Sequence, residues 1–295
     1  MTIGIVGNTS KDRIGIVITE IIKKIDSHGI NYFLAEALSD FIDNKTLIPQ
    51  NKFLSIKNLA EISDILFSVG GDGTMLSTSL IAHENDTPVL GINFGKLGFL
   101  TEVDISAVND CLISLKNNQF SIEERMILEG FCKHETSFPL FAVNDIVIDK
   151  GGWAKMIEVA VTVGGQYVTT FSADGLIIAT PTGSTGYSLS VGGPIVSPRT
   201  NVITLSPISA HSLNLRPLVL PGDDEIKVSV ESQHNKIQIH SDGQRTIEIV
   251  PPVEISIAKS KHPLKLIKTE SISYFEILRN KLMWGLDVRK FSEKS

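Results

Sequence analysis

Hydrophobic positions in the first hundred residues alternate between short apolar runs and segments with helical spacing. The short runs predict β-strands at residues 2–6, 30–34, 65–69 and 89–92. Between the first two runs, five isoleucines between Ile14 and Ile25 fall on one helical face, and Ser10 is the predicted N-cap of that helix. Further helices are predicted at residues 74–83 and 105–117. This alternation indicates a parallel sheet flanked by helices.

After about residue 120 the pattern changes to strand-length runs that are rich in β-branched residues. Gly164 and Gly165 stand between two of these runs and predict a hairpin turn. The predicted strands cover residues 142–148, 157–163, 167–171, 175–179, 202–205, 225–230, 236–240, 246–250 and 254–257. The sequence therefore predicts an all-β, sandwich-like second domain.

Residues 272–284 return to a helical pattern after the last predicted strand. At 295 residues the chain exceeds the length that one hydrophobic core usually serves, so two domains are expected. The helix has no sheet partner of its own, and we expect it to return to the first domain. The predicted division is an α/β domain at 1–100 plus 270–295 and a β-rich domain at 101–269.

Composition restricts the class of function. A hydrophobic content of 42%, a net charge of −6 and a pI near 5.7 indicate an ordinary globular protein, and they argue against a nucleic-acid binder. Cys111 and Cys132 are too few for a disulfide framework or a zinc site, and both are expected in the core. No basic leader and no run of 18 apolar residues is found. We therefore expect a cytoplasmic protein without a membrane partner.

The most informative segment is Gly-Gly-Asp-Gly-Thr at residues 70–74, between a predicted strand and a predicted helix. Amides in such a turn, together with the positive end of the helix, favour a polyphosphate. Asp72 would repel phosphate unless it accepts a proton or helps to hold Mg²⁺. The alternative is a simple tight turn in which the Asp72 side chain caps the helix.

Two better-known phosphate motifs do not fit the sequence. The dinucleotide fingerprint needs a third glycine where Leu76 stands. The segment from Gly91 to Lys96 is one residue short of a Walker loop, and Leu97 replaces the hydroxyl residue that would reach the metal.

A second constellation lies at residues 174–194, where a buried strand runs into a turn rich in hydroxyl groups and glycine. Neutral donors at such density suit a sugar or a diphosphate. The alternative is an elaborate sheet corner, since hydroxyl-rich turns are common. The glycine spacing around Ser184 differs from that of a hydrolase nucleophile elbow.

Taken together, residues 70–74, Asn144-Asp145, residues 174–194 and Asp242-Gly243-Gln244 resemble the NAD kinase family, and the likeness spans nearly the whole chain. The resemblance implies transfer of the γ-phosphoryl group of ATP to the 2′-hydroxyl of the adenosine ribose of NAD. Asp72 occupies the position of the family's general base. Gly70, Gly71, Gly73 and Thr74 would contact the donor phosphates, and a divalent ion, Mg²⁺ by preference, would arrive with ATP rather than in a protein metal site.

The resemblance also implies a set of NAD-binding residues. Asn144 and Asp145 match a pair that contacts the adenosine end, and Asp174 matches a contact to the nicotinamide end. The implied set is Asp72, Gly73, Asn144, Asp145, Lys155, Ser172, Asp174, Thr182, Thr185, Gly186, Tyr187, Ser188, Leu189, Ser190 and Gln244. Gly186 and Val191 stand where the family usually has alanine, and Ser209-Ala210 where it usually has Cys-Pro.

Other functions remain open on the residues alone. A related lipid or sugar kinase would share the turn at residues 70–74, and a non-catalytic NAD sensor would use Asp72 only to order that turn. The resemblance further implies a homodimer or homotetramer with NAD and ATP as substrates.

Overall fold

The computed structural model describes residues 1–42, 48–95, 98–101, 103–132, 139–269 and 273–283. The chain divides into two compact units, Met1–Glu123 with Lys265–Ser295, and Glu124–Leu264. The predicted domain boundaries lie at residues 100/101 and 269/270, whereas the compact units divide at 123/124 and 264/265.

The first unit is a sheet flanked by helices. Its elements up to residue 125 are β1 (Thr2–Gly7), α1 (Ile14–Ser27), β2 (Asn31–Ala35), β3 (Phe53–Leu54), α2 (Ile56–Ile62), β4 (Ile65–Gly70), α3 (Asp72–Asn85), β5 (Val89–Asn93), β6 (Val103–Asp104), α4 (Val108–Lys116) and β7 (Ser121–Arg125). β1 to β6 pair in parallel, with β1 and β4 at the centre. The predicted parallel α/β architecture is confirmed.

The isoleucine face of α1 forms a large part of this unit's core. Ile14, Ile18, Ile21 and Ile25 are fully buried and belong to the same cluster as Phe67 of β4. Each buried side chain of this size contributes about 1.5–3 kcal/mol through removal of apolar surface from water. The helical spacing thus predicted the packed face correctly.

The predicted N-cap of α1 was wrong. The helix begins at Ile14 after Arg13, which makes no capping hydrogen bond through its side chain. Ser10 instead belongs to a preceding turn, in which its own amide donates to Asn8 Oδ1 at 3.0 Å. The amide of Ile14 then donates to the carbonyl of Lys11 at 3.0 Å. A second turn therefore separates Ser10 from the helix.

The second unit contains two six-stranded antiparallel sheets. Its elements are β8 (Leu128–Cys132), β9 (Leu140–Ala142), β10 (Asp145–Asp149), β11 (Ile157–Val163), β12 (Gln166–Ala173), β13 (Gly175–Ala179), α5 (Tyr187–Ser190), β14 (Val202–Ile208), β15 (Leu218–Pro221), β16 (Ile226–Glu231), β17 (Ile237–Ser241), β18 (Arg245–Ile249) and β19 (Val253–Lys259). The strand orders are β15-β14-β13-β10-β17-β18 and β12-β11-β16-β19-β8-β9. Alternate residues of both sheets share one core, as in a sandwich.

The hairpin between β11 and β12 turns at Gly164 and Gly165, whose φ angles are +55° and +80°. Positive φ at both central residues explains why glycine occupies both positions.

Two more elements complete the first unit after the second unit has ended. Strand β20 (Leu264–Lys268) pairs in parallel with β5, and helix α6 (Tyr274–Leu282) follows it. The return of a C-terminal helix to the first unit was predicted, although residues 272 and 284 of the predicted range lie outside the described residues. Strand β20, which has only five residues, was not predicted from the sequence.

Candidate active site

The Gly-Gly-Asp-Gly turn joins β4 to α3. The six residues of β4 are all buried, and α3 begins at Asp72, so this carboxylate lies in the first turn of the helix. The predicted helix start at residue 74 is therefore two residues late. A Cβ atom placed on Gly71 would meet nothing within 4 Å. The turn thus leaves open space beside the helix N-terminus, where amides and the helix dipole favour an anion.

Asp72 does not cap its own helix through its side chain; it reaches the segment at residues 98–101. Oδ2 accepts the backbone N–H of Phe99 at 2.9 Å, and Oδ1 accepts that of Leu100 at 3.0 Å. Thr101 Oγ1 donates to Oδ1 at 3.4 Å, and Lys281 Nζ donates to Oδ2 at 3.3 Å. The carboxylate is therefore held in one orientation by donors from two separate segments.

Two glycines make room for this arrangement. A Cβ atom on Gly98 would lie 1.9 Å from Asp72 Oδ1, and one on Gly91 would lie 2.6 Å from the carbonyl oxygen of Leu100. Both distances are shorter than real Cβ contacts, so only glycine allows residues 98–101 to pack against β5 and the Asp72 carboxylate.

In the second unit, Asp242 holds the chain at the start of β10. Its backbone is left-handed, with a φ of +54°. Its carboxylate accepts the amides of Val143, Asn144 and Asp145 at 3.0, 2.7 and 3.3 Å. Three donors to one carboxylate fix the backbone of the Asn144-Asp145 pair, which the sequence analysis singled out.

Both buried carboxylates at this position have raised pKa values. Burial and, to a smaller extent, the negative charge of Asp242 together raise the pKa of Asp145 to about 7, although the backbone N–H of Tyr187 opposes the shift. Burial also raises the pKa of Asp242, against the three amides that it accepts. A substantial fraction of Asp145 is therefore protonated near neutral pH.

The hydroxyl-rich loop packs directly against this pair. Thr180 Oγ1 donates to the carbonyl of Val143 at 2.6 Å, and a Cβ on Gly183 would lie 2.1 Å from the carbonyl oxygen of Asn144. Ser188 is fully buried and shares a 2.9 Å hydrogen bond with Ser206. Part of the predicted array of hydroxyl donors thus supports the loop itself.

A cavity of about 430 Å³ opens beside the carboxylate pair. Its lining is Asn144, Asp145, Val147, Asp149, Tyr187, His240, Asp242 and Gly243. The structure therefore brings Asn144, Asp145 and Tyr187 of the predicted NAD-binding set to one cavity. Asp242 and His240 were absent from that set, although Asp242 belongs to the motif that contains Gln244.

Other predicted residues of the second unit have different surroundings. Lys155 Nζ donates to Gln233 Oε1 at 2.7 Å, and Lys150 Nζ lies 2.6 Å from Asp174 Oδ1 in an ion pair. Ser172 lies in β12, where its carbonyl accepts the amide of His211 at 2.9 Å.

The described residues contain no group of three or more His, Cys, Asp or Glu side chains that could hold a metal ion. Mg²⁺ that arrives with a nucleotide needs only one or two protein carboxylates besides the phosphates. Asp72 is the carboxylate at the turn, but its two oxygens already accept four hydrogen-bond donors. Among the same residues, no helix has both the length and the apolar character needed to cross a bilayer.

Family models match the chain over most of its length. Residues 3–120 match the ATP-NAD kinase N-terminal domain, and residues 143–269 match the ATP-NAD kinase C-terminal domain. The chain belongs to the NAD kinase family.

Individual NAD kinases support the same assignment. The chain is 33% identical to an NAD kinase of Natranaerobius thermophilus, with 97% of this chain and 99% of the relative covered. It is 35% identical to an NAD kinase of Bacteroides fragilis, with 98% and 100% covered, and 42% identical to one of Heliobacterium modesticaldum, with 75% and 79% covered.

Solved structures of NAD kinases share the fold. Yeast NADH kinase complexed with NADH matches with a TM-score of 0.84 and 25% identity, covering 98% of this chain and 89% of that chain. An NAD kinase from Archaeoglobus fulgidus in complex with ATP matches with a TM-score of 0.73 and 27% identity, covering 96% and 99%.

The two NAD kinase family models divide the predicted site residues between them. The N-terminal model contains Asp72 and the phosphate turn, and the C-terminal model contains Asn144, Asp145 and the loop at residues 180–190. Lys281 lies beyond both matched ranges, and the sequence analysis missed it. Its only sequence signal is its spacing from Ile277 and Leu278 on the buried side of α6.

Proposed function

We propose that the protein transfers the γ-phosphoryl group of ATP to the 2′-hydroxyl of the adenosine ribose of NAD, which yields NADP and ADP. Family membership supports the reaction class. The observation that carries the residue assignment is the Asp72 carboxylate, held by amides at a glycine turn where a helix begins.

In this proposal Asp72 is the general base. The ribose oxygen forms a bond to the γ-phosphorus, the bond from that phosphorus to the bridging oxygen breaks, and the hydroxyl proton moves to Asp72. Phosphoryl transfer depends mainly on positioning and charge stabilisation, so one oriented carboxylate with amide donors suffices. A nucleotide-bound divalent ion would supply charge neutralisation at the phosphates.

The donor phosphates are proposed to lie at the turn that contains Gly70, Gly71, Gly73 and Thr74. The open space at Gly71 supports this assignment, because a phosphate can approach the backbone there. Backbone amides at the start of α3 attract anions without cationic side chains. They explain how a protein with a net charge of −6 could bind a polyphosphate.

The dinucleotide is proposed to use the set implied by the family resemblance. Asn144 and Asp145 would contact the adenosine end, and the cavity beside them supports that role. The remaining proposed contacts are Gly73, Lys155, Ser172, Asp174, Thr182, Thr185, Gly186, Tyr187, Ser188, Leu189, Ser190 and Gln244. For Ser188 we propose a backbone contact, because its hydroxyl is engaged by Ser206.

The decisive experiment is Asp72→Asn in an assay that couples NADP formation to an NADP-specific dehydrogenase. Loss of the base should reduce kcat by roughly 10²–10⁴-fold, because asparagine keeps the shape but accepts no proton. Thermal unfolding of the variant should stay cooperative, which would show an intact fold. Undiminished turnover would remove Asp72 from the role of base.

The same assay separates the alternatives. A lipid or sugar kinase would phosphorylate diacylglycerol or a hexose in preference to NAD, and a sensor would bind NAD without making an ATP-dependent product. Both NAD and NADH should be offered as acceptors.

We also propose that the protein is a cytoplasmic homodimer or homotetramer. Large apolar side chains exposed on the second unit support self-association: Trp153 is 50% exposed, Tyr167 68% and Leu213 92%. Light scattering coupled to size-exclusion chromatography tests the assembly, and a monomer at micromolar concentration would contradict it.

A further inference from the structure

The Asp72 carboxylate already has a full complement of hydrogen-bond donors. An ionised carboxylate offers about four lone-pair positions, two on each oxygen. Leu100 N–H and Thr101 Oγ1 meet Oδ1, and Phe99 N–H and Lys281 Nζ meet Oδ2. A substrate hydroxyl that donates its proton to Asp72 must therefore displace one of these four donors.

Three of the four donors have little freedom to leave. The amides of Phe99 and Leu100 belong to a backbone segment closed by a hydrogen bond from Gly98 N to the carbonyl of Thr101 at 3.3 Å. Thr101 is fully buried, and a Cβ atom placed on Gly91 would lie only 2.9 Å from the Cα atom of Thr101. These groups are fixed by the packing of residues 98–101.

Lys281 is the hydrogen-bond donor to Asp72 that can move. Its side chain is 31% exposed, and its 3.3 Å contact is longer than those of the two amides. A lysine ammonium sits on four rotatable bonds and carries three donors, so it can change acceptors without backbone movement. The ammonium also lies 5.1 Å from the centroid of the Phe99 ring, which gives it a second favourable contact on this side of the turn.

Helix α6 directs Lys281 toward the turn. Ile277 and Leu278 are buried, and Lys281 follows them by four and three residues, so it lies on the same side of the helix. Lysines in a last turn commonly interact with the helix's own C-terminal carbonyls. Here the packing of α6 places the ammonium at Asp72 instead.

We propose that Lys281 binds ATP, the phosphoryl donor, and that its ammonium exchanges hydrogen-bond partners during the reaction. In the free protein its ammonium neutralises Asp72. When ATP is bound, the ammonium moves to a phosphate oxygen of ATP. The lone-pair position that it leaves on Asp72 Oδ2 then accepts a hydrogen bond from the substrate hydroxyl. This inference rests on the proposed function, and it explains how an acidic residue can stand in a turn that binds phosphate.

The charges give the proposal a specific signature. Under the proposed exchange, ATP binding must break the ion pair between Lys281 and Asp72, and this cost is absent when residue 72 is asparagine. Loss of Lys281 should therefore weaken ATP binding less when Asp72 is present than when it has been replaced.

The test compares Lys281→Gln and Lys281→Arg with Arg279→Gln, which removes the same charge from an exposed position of the same helix. We expect Lys281→Gln to raise the KM for ATP by about tenfold or more, with the KM for NAD changed by less than about threefold. Lys281→Arg should recover most of the loss, and Arg279→Gln should match the unmodified protein.

Calorimetric titration with Mg-ATP completes the experiment. It measures the effect of Lys281→Gln on ATP affinity in two backgrounds, one with Asp72 and one with Asp72→Asn. A larger loss of ATP affinity for Lys281→Gln in the Asp72→Asn background than in the Asp72 background supports the exchange. A larger loss in the Asp72 background, which would indicate that the ammonium stays at Asp72, overturns it. Unchanged ATP affinity, or a loss equal to that of Arg279→Gln, overturns it. If the unmodified protein makes no NADP while the titrations report binding, the proposed function fails separately from this inference.

Discussion

Gly98 is the position where the smallest chemical change should disturb the proposed base most. The φ angle of Gly98 lies outside the left-handed range, so alanine meets no backbone obstacle there. Its Cβ, however, would lie 1.9 Å from Asp72 Oδ1, 2.7 Å from Asp72 Cγ and 2.3 Å from Thr101 Oγ1. Substitution of this glycine therefore acts directly on the carboxylate.

The required displacement follows from these distances. Ordinary contact begins near 3.4 Å, so Asp72 Oδ1 must move by about 1.5 Å, the difference between 3.4 and 1.9 Å. Misplacement of a reacting group by about 1 Å costs on the order of 10²-fold in rate. The movement also breaks hydrogen bonds from the amides of Phe99 and Leu100, which should lower the free energy of unfolding by roughly 1–3 kcal/mol.

We therefore expect Gly98→Ala to reduce kcat by roughly 10²-fold or more while the protein remains folded. Steady-state kinetics of NADP formation, with urea unfolding of the same preparation, measures both effects. If kcat stays within about threefold of the unmodified value, the orientation of Asp72 by residues 98–101 does not matter for the chemistry.

Two further predictions concern the turn and the carboxylate pair. Gly71→Ala should raise the KM for ATP, because the added Cβ would occupy the space proposed for a phosphate. It should change the free energy of unfolding by less than about 0.5 kcal/mol, since that Cβ meets no protein atom within 4 Å. An unchanged KM for ATP would argue that no phosphate approaches Gly71. Because the pKa of Asp145 is raised to about 7, the native state retains a proton that the unfolded chain releases near pH 4, so stability should fall as pH rises from about 4 to about 7. Asp145→Asn should remove its share of this fall, and urea unfolding at pH 5 and pH 8 would contradict the assignment if the variant and the unmodified protein changed in parallel.

Local patterns predicted the elements but not the partners of the central carboxylate. Apolar runs located the central strands of the first sheet, because buried parallel strands are continuously hydrophobic. The glycines at residues 70, 71 and 73 indicated the phosphate turn. The Asp72 contact with Lys281 spans 209 residues, and no local pattern encodes a pairing at that separation.

The hydroxyl-rich loop shows a second limit of sequence reasoning. Composition predicted that its hydroxyl groups would face a ligand, whereas the hydrogen bond between Ser188 and Ser206 turns one of them inward. Serine and threonine serve loop packing and ligand binding with the same chemistry, so only the fold separates the two uses. The N-cap prediction for Ser10 failed in a similar way, because Ser10 lies in a separate turn in which its amide donates to Asn8 Oδ1.

The order in which the chain is synthesised gives the Asp72–Lys281 contact a consequence during translation. The ribosome must make the whole second unit, Glu124–Leu264, before β20 and α6 can join the elements that precede it. A nascent chain stalled within the second unit would present the acid of the phosphate turn without its ammonium partner. Such incomplete chains should therefore bind ATP less tightly than molecules whose synthesis has passed Lys281.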